Sequence, residues 1–165
     1  MKIKNALMVA AAQLLLAGGA YAQSCSPAAG ALTDASNTVN VDTCTSTDQL
    51  ASICNSSTPI GNAPDTVYAV QIGATATGRI EVTPSNYDAY AALLQGTCTG
   101  GATCSRESDN PGTGAAGKET IQAAGLAAGS YFLLITSFAA SGNCGPTGVQ
   151  VFPTLPVTLQ NFSIN

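Results

Sequence analysis

The chain has no histidine and no tryptophan, and only five of its 165 residues are lysine or arginine. Without histidine there can be no Ser-His-Asp triad, no Cys-His pair and no His-ligated zinc site. Without tryptophan, the strongest aromatic platform for stacking sugars is missing. Charged residues make up 8% of the chain, so Thr, Ser, Asn, Gly and Gln must supply its wetted surface. Disorder needs high charge with low hydrophobicity, and this chain is 45% apolar. It is expected to fold.

The N-terminus reads as an export signal over residues 1–22. Lys2 and Lys4 give a positive start, residues 6–17 are apolar except for Gln13, and Ala20-Tyr21-Ala22 puts small residues where signal peptidase cuts. An apolar stretch of about 12 residues is too short for a permanent anchor. Ala22-Gln23-Ser24 is a poor match to the box that precedes a lipidated cysteine. Cleavage after Ala22 is expected, with a secreted product, periplasmic or extracellular, that does not insert in a membrane. Past the leader only Arg79, Arg106 and Lys118 face nine carboxylates, a net charge of −6. Three cations are no electrostatic footprint for nucleic acid or anionic lipid.

All six cysteines lie beyond the leader: Cys25, Cys44, Cys54, Cys98, Cys104 and Cys144. An even count in an oxidising compartment implies three disulfides, and six cysteines allow about 15 pairings. Cys98 and Cys104 bracket a short Thr/Gly-rich loop and are expected to pair. For the rest, Cys44–Cys54 with Cys25–Cys144 is the favoured arrangement. The rival is Cys44–Cys144 with Cys25–Cys54, which would follow if the first and last strands ran side by side and antiparallel.

From Asn37 onward the apolar period is two, the signature of half-buried strands. Thr38 to Val41 alternates; Tyr68, Val70 and Ile72 share a side; Ile80 and Val82 point inward between Arg79 and Glu81. Residues 87–94 read as a strand or a short helix, and Ile121 and Ala123 alternate with polar neighbours. Tyr131-Phe132-Leu133-Leu134-Ile135 is apolar on both sides and should be a central strand. Val149-Gln150-Val151 closes the body. Turn formers sit between these runs, and no 3.6-residue period is sustained outside the leader. The fold class is therefore all-β: an antiparallel two-sheet β-sandwich, jelly-roll-like and disulfide-stapled. An N-terminal segment, residues 23–36, precedes a body of residues 37–152. The tail, residues 153–165, alternates from Leu155 to Leu159 and carries Phe162 and Ile164 on the opposite parity.

Residues 64–151 resemble the bacterial pre-peptidase C-terminal domain, a β-sandwich module of secreted proteins. Pro64-Asp65-Thr66-Val67-Tyr68-Ala69-Val70 is similar to that family's opening strand, and Tyr87-Asp88-Ala89-Tyr90 to its aromatic–Asp strand. Leu126-Ala127-Ala128-Gly129-Ser130-Tyr131-Phe132 is similar to its entry into a central strand, and Cys144-Gly145 with Val149-Gln150-Val151 to its closing strand. Such domains usually follow a protease. Here the leader runs almost directly into the module, so a free-standing role is expected. Residues 155–162 also resemble a tail found on exported proteins of some Gram-negative bacteria. In physical terms, Gly129 is expected to reverse the chain with positive φ before a buried strand, and Leu126 to plug the end of the sandwich.

The carboxylates are the remaining chemistry. Some sandwiches of this type bind calcium, and Asp65, Asp88, Glu107 and Asp109 are the candidate loop ligands. The best local cluster is Glu107-Ser108-Asp109-Asn110-Pro111-Gly112, which lacks the dense spacing of a dedicated calcium loop. The competing reading makes them turn carboxylates, with Asp65 and Asp88 satisfied by backbone N–H groups. A glycosidase needs two acids at a set separation, and nothing marks a pair. Ser-Lys catalysis would rest on Lys118 without its motif. Tyr68, Tyr87, Tyr90 and Tyr131 are expected in the core. The chain thus reads as a non-catalytic exported module binding a protein or glycan, with no resident cofactor unless calcium. The alternative is a surface protein that self-associates through its tail.

Overall fold

The computed structural model describes residues 29–32, 38–50, 54, 60, 63–73, 77–99, 102–138 and 143–152. Within them nine strands form two sheets: β1 (Ala31–Leu32), β2 (Thr38–Asp42), β3 (Thr66–Ile72), β4 (Arg79–Pro84), β5 (Ala89–Gln95), β6 (Cys104–Ser108), β7 (Glu119–Gln122), β8 (Gly129–Ser137) and β9 (Pro146–Phe152). A five-stranded sheet runs β1-β3-β8-β5-β6, and a four-stranded sheet runs β2-β9-β4-β7. The expected sandwich is present. One pairing departs from it, because β1 lies parallel to β3 while the named strands otherwise pair antiparallel.

The core between the sheets follows from the period-two pattern. Tyr68, Val70 and Ile72 of β3 and Leu133 and Ile135 of β8 meet Ile80 and Val82 of β4, Ile121 of β7 and Val149 of β9. β8 is the middle strand of its sheet, as its doubly apolar run requires. Its other face, with Val67, Tyr90, Ala92 and Leu94, lies under a second apolar layer that includes Leu50, Ile60 and Cys98. Leu50, Cys54 and Ile60 thus mark a strap across the outer side of the five-stranded sheet. β5 is buried from Ala89 to Leu94 for that reason, and the strand reading of residues 87–94 holds from Ala89 onward.

One expectation about the elements is corrected. Glu107 and Ser108, expected in a loop, instead end β6, residues 104–108, which carries no apolar alternation and pairs with β5. An edge strand needs only one paired side and one neighbour, so polar residues suffice. Gly129 takes the expected positive φ, +155°, where β8 begins, and Gly125 in the turn before it is also at positive φ, +77°. Leu126 does pack against the inter-sheet core.

The disulfides also differ. Cys44 is bonded to Cys144 with Cα atoms 5.0 Å apart, and Cys54 to Cys104 at 4.9 Å. β2 and β9 are the first and last strands of the body, and they pair antiparallel with Asp42 opposite Pro146. That register brings Cys44 to Cys144, as the rival arrangement required, and excludes Cys44–Cys54 and Cys25–Cys144. Cys98–Cys104 is excluded too. The loop between them closes through its own backbone, Ala102 N donating to Thr99 O at 2.9 Å. Cys54 arrives from the strap, its N–H on Ala102 O, and takes Cys104; this also excludes Cys25–Cys54. Cys98, 6% exposed, is disulfide-bonded as well. Cys25, the leader and the tail fall outside the described residues.

Candidate functional site

Three of the four sequence-predicted calcium candidates come together, and Asp65 does not join them. Asp65 lies just before β3, fully buried beneath the strap, where one carboxylate oxygen accepts Gln49 N at 2.8 Å and Leu50 N at 2.6 Å. Burial pushes its pKa up to about 6, against the opposing pull of those two N–H groups and Thr136. Its second oxygen and the Thr136 hydroxyl have no well-formed partner. Its task is to hold the strap.

Asp88, Glu107 and Asp109 cluster with Glu119, which the sequence reading missed. Burial, then Asp88 and Glu107, raise the Asp109 pKa. Glu119 is fully buried and is likewise raised, first by burial, with the Ser108 hydroxyl and Asn110 N–H opposing. Both Glu119 oxygens accept Asn110 N at 3.0 Å, and Asp88 Oδ1 accepts Gly112 N at 3.0 Å. Asn110 Nδ2 donates to Ala116 O at 2.8 Å, winding residues 109–118 into a closed loop. The only cue to Glu119 in the sequence was a charge at an inward position of β7. Tyr90 OH donates to Glu107 at 2.6 Å and lies 3.1 Å from Cys54 Sγ. Cys54, Cys104 and Glu107 have metal-like spacing, but both sulfurs are spent in the disulfide. The four tyrosines are all buried, as expected.

Among the described residues the four-stranded sheet, unlike its partner, has no layer covering its outer face. Its outward residues lie in cross-strand rows. Phe152, Arg79 and Gln122 form one; Thr38, Gln150, Glu81 and Thr120 form the next; Asn40, Gly148 and Thr83 form a third. Glu81 holds the Arg79 Nε at 2.7 Å and the Lys118 Nζ at 2.8 Å, and these hydrogen bonds keep its carboxyl below the usual range. The Arg79 guanidinium lies over the Phe152 ring, 4.0 Å from its centroid. Among the described residues, the side chains of Thr38, Asn40, Thr83, Thr120, Gln122 and Gln150 make no intramolecular hydrogen bond.

No family model and no curated protein matches the chain. Among solved structures it is similar to the pre-peptidase C-terminal domain of a Bacillus anthracis collagenase, at 13% identity and a TM-score of 0.43, over 74% of this chain and 90% of that one. That is a domain of the kind residues 64–151 resemble. It is also similar to Aeromonas hydrophila PliG, a periplasmic inhibitor of g-type lysozyme, at 11% identity and a TM-score of 0.39, over 75% and 95% of the two chains. At such identities and scores, neither likeness says what this chain binds.

Proposed function

We propose that this chain is a non-catalytic β-sandwich module, exported behind a cleaved leader of residues 1–22. On this reading it binds a protein or glycan at the bacterial cell surface or in the secretome. One observation carries the reading: the five-stranded sheet is covered on both sides, while the four-stranded sheet leaves a polar face with unspent hydrogen-bonding side chains. A ligand could replace the water there without unfolding anything. Of the carboxylates, Asp65 is engaged in holding the strap, and Asp88 and Glu119 in holding the loop at residues 109–118. The disulfides fit an oxidising compartment, and among the described residues no helix is long and apolar enough to cross a membrane.

The test is a glycan array run beside chemical cross-linking of the exported protein on intact bacteria. Substitutions in the open face, such as Gln150→Ala, should remove whichever signal appears. The same substitutions should leave thermal stability unchanged. A hydrolytic activity on any arrayed glycan would sink the non-catalytic reading.

A further inference from the structure

Two of the three cations beyond the leader, Arg79 and Lys118, converge on the open face, while the carboxylates of residues 88, 107, 109 and 119 cluster elsewhere. We propose that this face binds an acidic polysaccharide, its carboxylates taken by Arg79 and Lys118 and its hydroxyls by the flanking amides and threonines. The proposal rests on the reading of the chain as a binding module and names the ligand class.

The donors are already in place. Glu81 uses only the Nε of Arg79, whose side chain stays 42% exposed, and one N–H of Lys118, 37% exposed. A guanidinium carries five N–H donors and an ammonium three, so both cations keep donors to spare. Glu81 and the Phe152 ring hold them still, which lowers the entropy cost of capturing a ligand. The long-range field of a protein at −6 opposes every polyanion, so capture of a uronate chain rests on short-range, charge-assisted hydrogen bonds from the two cations to its carboxylates.

The rest of the face favours a sugar over a peptide. A peptide main chain pairs with strand edges, and protein interfaces centre on apolar anchors. Phe152 is the one aromatic ring on this face among the described residues, and it already carries the Arg79 guanidinium. Amides and hydroxyls both donate and accept, as sugar hydroxyls do. Gly148, between Asn40 and Thr83, leaves a notch in the middle of the third row. A Cβ there would stand 3.6 Å from Asn40 Oδ1, an ordinary contact, so the position tolerates a side chain.

Native affinity electrophoresis of the exported protein in gels containing polygalacturonate, alginate or dextran tests the proposal. Retardation by the two uronate polymers and not by dextran is expected. Arg79→Gln and Lys118→Gln should each weaken it about tenfold, the worth of one charge-assisted hydrogen bond. Gly148→Val should abolish it with the melting temperature unchanged or raised, since a β-branched residue suits a strand. Equal retardation by dextran overturns the acidic class and leaves the binding-module reading standing. Retardation insensitive to all three substitutions overturns the face. If no polysaccharide retards the protein the proposal fails, and cross-linking to protein partners then decides the module reading separately.

Discussion

Asp65 shows how one buried carboxylate trades stability for order. Two backbone N–H groups bind it, yet burial outweighs them and its pKa rises to about 6 from 3.8. A raised folded pKa means the native state binds the proton more tightly than the unfolded chain. Its contribution is therefore most favourable at low pH and is lost as pH rises through about 6. Asp109 and Glu119 are shifted in the same sense, and Glu81, lowered by Lys118 and Arg79, in the opposite one. Stability should rise by about 1–2 kcal/mol between about pH 8 and pH 5. Asp65→Asn should flatten that slope while keeping the strap, because an amide oxygen can still accept from Gln49 and Leu50; denaturant melts across pH measure both. Gly117 makes a separate prediction. It is buried, and a Cβ there would overlap the Gly112 carbonyl backbone. Gly117→Ala should cost about 2 kcal/mol, seen as a lowered melting temperature, because neither strand of that loop can yield cheaply.

At the scale of elements, the strap and β6 depend on each other. β6 is a polar edge strand, and among the described residues the strap is held by the Leu50 and Ile60 side chains, by Asp65 through Gln49 and Leu50, by the Cys54 N–H on Ala102 O and by the Cys54–Cys104 bond. Removing both cysteines as alanines leaves no stray thiol. The double variant should lose about 2–4 kcal/mol. It should also bind a hydrophobic dye, as Val67, Tyr90 and Leu94 lose their cover. Full stability with no dye binding would mean that the strap packs without its staple.

For the whole molecule, the count of bridges and the leader can be read together. Intact mass of the exported, unreduced protein should correspond to a chain starting at Gln23 and lacking six hydrogens relative to its reduced form. Reduction followed by alkylation should then add six labels, and labels taken up before reduction would contradict three closed bridges.

Strand position is a local property, so the alternation at Ile80 and Val82 and the doubly apolar run at residues 131–135 could be read from the chain alone. The all-β class and the central place of β8 followed from them. β6 escaped that reading because an edge strand can be polar. Disulfide pairing is decided by register between strands distant in sequence: Cys44 and Cys144 are 100 residues apart and meet only because β2 lies against β9. The short loop from Cys98 to Cys104 does not decide the pairing, because the strap seats Cys54 against Cys104. The acids followed the same division. Their presence was plain, but the company of Glu119, the isolation of Asp65 and the open face around Glu81 depend on which strands lie side by side. Side-chain alternation belongs to a strand alone, whereas a site needs several strands brought into register by the packed sandwich.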